Sequence, residues 1–199
     1  CWIPNGEPEE VLVHGFAHLG QGKAIPYGTY DMVRDREMVN VGVSLDTGEF
    51  AVESIRRWWR LVGRRVYPRA ERFLICADAG VSNGNRLRVW KLHLQTLVSA
   101  IGIPITVCYY PPGTSKWNKI EHRLFSLISM NWRGKPLVSY ETVVSLIGGT
   151  RPRSGLKVKA LLDKCDCEAG RQVSDQQMKD LHLRGHSFHP DWNYTLSPN

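Results

Sequence analysis

The sequence lacks the features of a membrane-spanning protein and of a disulfide-rich secreted one. No apolar run approaches the roughly 20 residues that a membrane-spanning helix needs. The opening residues, CWIPNGEPEE, contain no basic region followed by an apolar block, so no signal peptide is recognisable. The five cysteines are odd in number and scattered, which predicts no disulfide framework. We therefore expect no membrane association and a cytoplasmic location.

The chain also lacks an initial Met. Cys1 comes first, so we expect a fragment whose upstream part is not seen. Its 199 residues suffice for one domain with a sizeable core, and 42% hydrophobic and 23% charged residues are ordinary for a globular protein. The formal net charge of +7 favours a polyanionic partner, because Lys and Arg that neutralise phosphates release condensed counterions. A merely basic surface explains that charge equally well.

Strand and helix patterns alternate along the middle of the chain. TYDMVRD and VNVGVSL alternate apolar with polar residues, as half-buried strands do, and the charged turn RDRE separates them. The later predicted elements are a helix over EFAVESIRRWWRLVGRR with Asp46 or Thr47 as N-cap, a strand over FLICA, a helix over 86–101, a strand over PITVCYY, a helix containing Glu121 and ending near Trp132, and helices over SYETVVSLIGG and SDQQMKDLHL. This order predicts an α/β layered domain.

The strand FLICA ends at a carboxylate. Its five consecutive apolar residues, Phe73 to Ala77, predict coverage on both faces and hence a central place in the sheet. Asp78 follows, and after it comes a turn rich in Gly and Asn. Open α/β sheets place their sites beyond such strand ends, so Asp78 is a candidate site residue.

A second carboxylate, Glu121, lies among apolar residues in PPGTSKWNKIEHRLFSLI. At about 100° per residue of an α-helix it falls inside the apolar arc, which also contains Trp117 and Ile128. An unpaired buried carboxylate costs several kcal/mol, so the chain must neutralise it, pair it with a base or give it a cation. A structural salt bridge is the simplest interpretation of Glu121 alone. The similar position of Asp78 favours a cation that both acids share.

Basic residues follow or flank both acids. Two acids surrounded by basic residues are best explained if a divalent metal ion binds to the acids and a phosphate binds to the basic residues. Mg²⁺ takes carboxylate oxygens and keeps waters or phosphates as its other ligands, and paired ions roughly 4 Å apart serve phosphoryl transfer. Basic side chains would then track a nucleic-acid backbone. The candidate DNA-binding residues are Arg86, Arg88, Lys91, Lys116, Asn118, Lys119 and Arg123.

Long stretches of the chain resemble one known family. PPGTSKWNKIEHRLFS resembles the proline-rich turn, asparagine and helix glutamate of DDE transposases of bacterial insertion sequences. With NGEPEEVLVHGF, GKAIPYGTYD, FAVESIRRWWR, SNGNRLRVWKL, NWRGKPLVSYE and FHPDWNY, it is similar to the Rhodopirellula-type DDE transposase family nearly from end to end. The resemblance implies a ribonuclease-H-like mixed sheet flanked by helices, with the first strand missing from this chain. It also implies an integrase-like enzyme that cleaves the 3′ ends of an element and joins them to target DNA.

The resemblance assigns roles to residues. Asp78 matches the family's second acid and Glu121 its third, so both are the implied catalytic residues and metal ligands of two Mg²⁺ or Mn²⁺ ions. The first acid precedes the stretch Trp2 to Pro8 in the family, so we expect it upstream of this chain. Asp46 is a candidate substitute for this first acid, although we prefer a helix-capping role for it. Asp31 is a weaker candidate for the same role. The implied partners are transposon ends and target DNA, held by a homo-oligomer at the bacterial nucleoid.

Residues 1–28 are then an irregular arm or hairpin remnant, 29–149 a ribonuclease-H-like catalytic core, and 150–199 a basic extension with a short helix. Two rival functions stay open. One is a truncated inactive relative that only binds DNA, and the other is a ribonuclease-H-like nuclease without joining activity. A zinc site is a lesser alternative, because C-x-C with H-x₃-H lacks the usual ligand spacing. Its ligands would come from Cys165, Cys167, His182, His186 and His189.

Overall fold

The computed structural model describes residues 22–135, 137–151, 158–168 and 170–199. The predicted arm over 1–28 lies largely outside these ranges. Within them, no helix combines the length and the apolar character needed to cross a membrane.

The described residues form a mixed α/β fold that is consistent with a ribonuclease-H-like architecture. The strands are β1 (Ile25–Asp31), β2 (Arg36–Gly42), β3 (Phe73–Ala77), β4 (Ile105–Tyr109), β5 (Lys159–Asp163), β6 (Leu183–Gly185) and β7 (Asn193–Leu196). The α-helices are α1 (Gly48–Trp58), α2 (Arg64–Val66), α3 (Arg88–Ile101), α4 (Ser126–Trp132), α5 (Tyr140–Gly148) and α6 (Asp175–Lys179). Two π-helical turns, Trp59–Gly63 and Glu121–Phe125, precede α2 and α4, and a 3₁₀ turn spans Ser115–Trp117.

The first sheet has the order β1-β2-β5. β1 and β2 form the predicted antiparallel hairpin, although β1 begins earlier than the alternating pattern indicated. Asp31 closes the hairpin turn, because its Oδ1 accepts hydrogen bonds from the backbone N–H groups of Val33 and Arg34. β5 lies parallel to β2 on the other side. The sequence patterns did not predict β5.

The second sheet has the order β3-β4-β7-β6. β3 and β4 are parallel, whereas β7 runs antiparallel to both β4 and β6. The strands β6 and β7 were also missed by the sequence analysis, since short strands inside a polar stretch give little periodicity. The last third of the chain therefore contributes strands to both sheets.

The main core lies where α1 and α3 pack beside the second sheet. Trp90 of α3 is fully buried there, and its indole Nε1 donates a 2.9 Å hydrogen bond to the hydroxyl of Tyr194. Helix α1 begins where Thr47 Oγ1 accepts a hydrogen bond from the backbone N–H of Phe50. Of the two predicted N-cap residues, Thr47 is therefore confirmed, and the capping role that we preferred for Asp46 was wrong.

β3 departs from its predicted central place. It is an edge strand of the described sheet, paired with β4 alone, and Leu74 is 54% exposed. β1 is likewise an edge strand of the first sheet as far as the described residues form it. A cleft of about 850 Å³ separates the two and is lined by residues from the whole of β3 and most of β1. An apolar strand exposed at an edge is a liability that proteins normally cover.

The two edge strands, β1 and β3, run in opposite directions on the two sides of this cleft. At one end, the hydroxyl of Tyr67 donates a 2.8 Å hydrogen bond to Asp31, where β1 ends and shortly before β3 begins. At the other end, Tyr27 at the start of β1 lies close enough to Asp78 for that charge to raise its pKa, although burial is the larger cause. The candidate acids therefore lie at the end where β1 begins and β3 finishes.

Candidate active site

Asp78 is the residue that directly follows β3, at the mouth of the cleft. The backbone N–H of Tyr110 donates a 2.9 Å hydrogen bond to the carbonyl of Ala77, which ties the ends of β3 and β4 together. The turn after Asp78 is held by Tyr109, whose hydroxyl donates a 2.7 Å hydrogen bond to the backbone carbonyl of Asn83. Asp78 is exposed and accepts only a long 3.4 Å contact from Asn83 Nδ2. Its oxygens are thus open to a ligand.

Glu121 reaches the same cleft from the next loop and helix. The chain leaves β4 through Pro111 and Pro112, and Gly113 takes the positive φ of 75° that the turn requires. Glu121 then begins a π-helical turn, in which the N–H of Ser126 bonds to the Glu121 carbonyl. Such widened turns are frequent at functional sites. The carboxylate is half-buried rather than fully buried.

The two acids interact electrostatically. Burial raises the pKa of Glu121, the negative charge of Asp78 raises it further, and His122 opposes the rise. Two carboxylates that repel each other across open space are stabilised together by a cation. Carboxylate oxygens are also the ligands that Mg²⁺ and Mn²⁺ prefer.

A neutral oxygen lies beside this pair. Asn83 Oδ1 is buried and has no hydrogen-bond partner among the described residues. A buried polar atom without a partner is costly unless water or an ion satisfies it. Asp78, Glu121 and Asn83 line one cleft and therefore fit a hard divalent cation with waters or phosphate as its further ligands.

The two substitute acids have different surroundings. Asp46 lines the cleft with Asp78 and Glu121, and its charge contributes to the raised pKa of Tyr27. Asp31 lies at the opposite end and is engaged by the hairpin turn and by Tyr67. Of these two, only Asp46 is near the candidate acids.

The candidate DNA-binding residues divide into two groups. Arg86, Lys116 and Lys119 are exposed and form no ion pair with described residues. The others are engaged within the protein. Arg123 pairs with Asp35 at 3.3 Å, Arg88 pairs with Asp175 at 2.6 Å, the Lys91 ammonium lies 5.2 Å from the centre of the Tyr194 ring, and Asn118 is buried.

The alternative zinc site does not form in the described part of the chain. No group of three or more His, Cys, Asp or Glu side chains there could hold a metal ion. Asp78 and Glu121 therefore also lack a third such side chain close enough to complete a three-residue cluster within these ranges.

Residues 1–198 match the family model described as the Rhodopirellula transposase DDE domain. The chain belongs to this transposase family. No curated protein and no solved structure gives a significant match. Membership confirms the predicted family and supports a transposase-type function. It suggests an enzyme of the polynucleotidyl-transferase type and implies that the enzyme binds DNA. DDE transposases generally use divalent metal ions.

One feature of this transposase domain was not predicted from its sequence. Trp117 was placed in the buried arc of a helix, but it lies in the preceding 3₁₀ turn and is 57% exposed. The predicted burial of Trp117 was wrong because it assumed about 100° per residue throughout. The chain between Trp117 and Phe125 passes through a 3₁₀ turn, which is tighter than an α-helix, and a π turn, which is wider. The paired prolines just upstream are the only sequence signal of that irregularity.

Proposed function

We propose that this domain is the catalytic part of a transposase that cleaves DNA at the 3′ ends of an element and joins those ends to target DNA. The observation that carries the proposal is the meeting of Asp78 and Glu121 at one cleft, close enough for one charge to raise the pKa of the other. Membership of the transposase family makes DNA the substrate that fits these acids. Action as a homo-oligomer on paired ends belongs to the same proposal.

Each residue has a chemical role in this proposal. Asp78 and Glu121 would hold two Mg²⁺ or Mn²⁺ ions, and Asn83 would offer a further oxygen. Bound metal ions lower the pKa of water and stabilise a leaving oxygen. In cleavage, a water oxygen bonds to phosphorus, the bond to the 3′ oxygen breaks, and that oxygen takes a proton. In joining, the new 3′-hydroxyl bonds to a target phosphorus and displaces the target's 3′ oxygen, which is protonated in turn.

The exposed basic residues position the DNA. Arg86 follows the turn after Asp78, and Lys116 and Lys119 precede Glu121, so these three flank the acids on both contributing loops. Contacts to phosphates fix the register of the DNA strand and carry no sequence information. Arg88, Lys91 and Arg123 contribute less in this proposal, because each is already engaged within the protein.

A third acid completes the site, and the cleft offers two sources for it. A strand placed between β1 and β3 and parallel to β3 would pair with both open edges and would end beside Asp78. The predicted upstream strand with the first acid fits this place, and it would also cover the exposed apolar side of β3. The second source is Asp46, which already lines the cleft. We favour the strand, because it accounts for the open edges as well as for the acid.

The test is a nicking and joining assay of the domain extended upstream by the predicted strand, on DNA that carries the element's ends, with Mg²⁺ or Mn²⁺ added or removed by chelation. Asp78→Asn and Glu121→Gln should each abolish both reactions, while DNA binding stays largely intact. Asp175→Asn is the matched control, since Asp175 is an exposed acid paired with Arg88. Retained cleavage in either site variant would remove that residue from the proposed machinery. Asp46→Asn separates the two sources of the third acid.

A second candidate is a DNA-binding domain without catalysis. It is favoured by the presence of only two converging carboxylates with Asn83, and no three-acid cluster, among the described residues. It predicts salt-dependent DNA affinity with no metal-dependent nicking. Extending the chain upstream by one strand should restore nicking if the first proposal holds, and should leave binding alone unchanged if the second does.

A further inference from the structure

Trp117 is unusual among the tryptophans that the structure describes. Its side chain is 57% exposed, whereas Trp58 and Trp90 are buried. Trp59, Trp132 and Trp192 are partly covered. Exposing an indole to water forgoes the burial of one of the largest apolar side chains. A partner that covers this ring would recover that free energy.

The exposed ring stands on a fixed backbone. The N–H of Trp117 donates a 2.8 Å hydrogen bond to the carbonyl of Thr114, and the Thr114 hydroxyl donates back to the carbonyl of Pro111. Asn118, the next residue, is buried, and its carbonyl accepts a hydrogen bond from the N–H of Glu121. The backbone that carries Trp117 is thus bonded on both sides.

The surroundings of Trp117 are basic. Lys116 and Lys119 are exposed on either side of it, and Glu121 follows four residues later. An exposed ring with an exposed lysine before and after it along the chain suits a ligand that carries both a flat apolar face and negative charges. A nucleotide has both. An apolar protein segment would satisfy the ring but would leave the two ammonium groups without counter-charge.

We propose that Trp117 is a stacking platform for a nucleobase of the DNA strand that enters the Asp78–Glu121 cleft. Base stacking on an aromatic side chain is independent of base identity, because every base has a π-face. Lys116 and Lys119 contact the phosphates on either side of the stacked base. The platform thereby holds one nucleotide out of its regular stack, at the turn that precedes Glu121. This inference rests on the proposed function only for the identity of the ligand.

The test measures binding of short single-stranded oligothymidylate to the 199-residue chain by fluorescence anisotropy. The comparison probe has the same length and phosphates but abasic sites in place of the bases. The variants are Trp117→Ala, Trp117→Phe and Lys116→Ala, with Phe188→Ala as control because Phe188 is also an exposed aromatic residue. Metal is left out, so that failure of cleavage has no influence on the result.

Trp117→Ala should weaken binding of oligothymidylate about tenfold and leave binding of the abasic probe unchanged, in line with the energy of base–aromatic stacking. Trp117→Phe should retain most of the affinity, since it keeps a π-face. Lys116→Ala should weaken binding of both probes by a similar factor. Phe188→Ala should change neither.

Two results would overturn the inference. One is an unchanged affinity of Trp117→Ala for oligothymidylate. The other is an equal loss on both probes, which would mean that Trp117 supports the backbone or a protein contact rather than a base. If Trp117→Ala does not fold, Trp117→Leu replaces it, because leucine keeps apolar bulk without a π-face. The nicking assay of Asp78→Asn is independent of this outcome, so the two proposals fail separately.

Discussion

Asp78 and Glu121 border one cleft from two different elements, and the charge of Asp78 raises the pKa of Glu121. The hydrogen bond between Tyr110 and Ala77 fixes the spacing of the two loops that carry the acids. The relationship is therefore built into the parallel pairing of β3 and β4.

Removing the charge of Asp78 should lower the pKa of Glu121 in the metal-free protein. Asp78→Asn keeps the shape of the side chain but removes the repulsion, so the Glu121 carboxylate becomes easier to form. A titration of the Glu121 carboxyl carbon by NMR measures this shift. The control is Asp175→Asn at the Arg88 ion pair. An unchanged Glu121 titration in Asp78→Asn would mean that the two side chains do not interact.

Gly28 allows the Glu121 helix to approach β1 closely. A Cβ atom on Gly28 would lie 2.9 Å from Ile120 Cδ1 and 2.9 Å from Phe125 Cζ, which is too short for a relaxed contact. Gly28→Val should therefore destabilise the fold by about 1–3 kcal/mol and shift the turn that begins at Glu121. Chemical denaturation measures the first effect, and loss of Mn²⁺ affinity measures the second.

The matched control for Gly28 is Gly148→Ala. A Cβ atom there would meet its nearest neighbour, Ala160 Cβ, at 3.8 Å, which is an ordinary contact. Gly148→Ala should leave Mn²⁺ affinity unchanged. If Gly28→Val is as stable as the parent chain, the helix and β1 are not packed as closely as the structure indicates.

The sequence predicted those elements whose own periodicity is strong. The hairpin of β1 and β2 follows from alternation, and helix α3 follows from its apolar stripe. The family was likewise predicted from long motifs and is confirmed by the match over 1–198. Local patterns of this kind do not depend on distant contacts.

The failures arose where distant residues decide the structure. β5 is a strand because it pairs with β2, which lies more than a hundred residues earlier in the chain. No pattern in the local sequence of β5 predicts this pairing. The sequence of β3 is that of a central strand, yet its second edge is open in the described sheet. For the site, two acids were predicted from the cost of burying charge, whereas the exposed Trp117 depends on irregular turns that a helical wheel does not represent.

Asp163 is the centre of a buried polar cluster that should be costly to disturb. Its Oδ1 accepts a 2.9 Å hydrogen bond from Arg57, and its Oδ2 accepts one of 2.9 Å from Asn40. Asp163→Ala leaves Arg57 and Asn40 without these partners, so we expect a loss of about 2–4 kcal/mol in the free energy of unfolding. Denaturation by urea measures it.

The exposed pair of Arg88 and Asp175 is the control for Asp163. Both side chains are at least half exposed, and surface ion pairs contribute little because water and salt screen them. Asp175→Ala should change the free energy of unfolding by less than about 1 kcal/mol. Equal losses in the two variants would show that the Asp163 cluster is no more important than a surface pair.

Glu37 should make the protein less stable as the pH rises from about 4.5 to about 7. Burial and, to a smaller extent, the charge of Asp35 raise the pKa of this carboxyl from 4.5 to about 7, against the opposing charge of Arg123. One of its oxygens, Oε2, is buried without a described hydrogen-bond partner. Between pH 4.5 and about 7 the folded protein keeps a proton that the unfolded chain has lost, so the free energy of unfolding falls across this window.

Glu37→Gln removes that titration. Above pH 7 the variant should be more stable than the parent chain by about 3 kcal/mol, and near pH 4 the two should be alike because Glu37 is largely protonated in both states. Urea denaturation at several pH values measures the difference, with the exposed Glu71→Gln as control. A constant difference at all pH values would mean that glutamine improves packing and that the charge of Glu37 is not the cause.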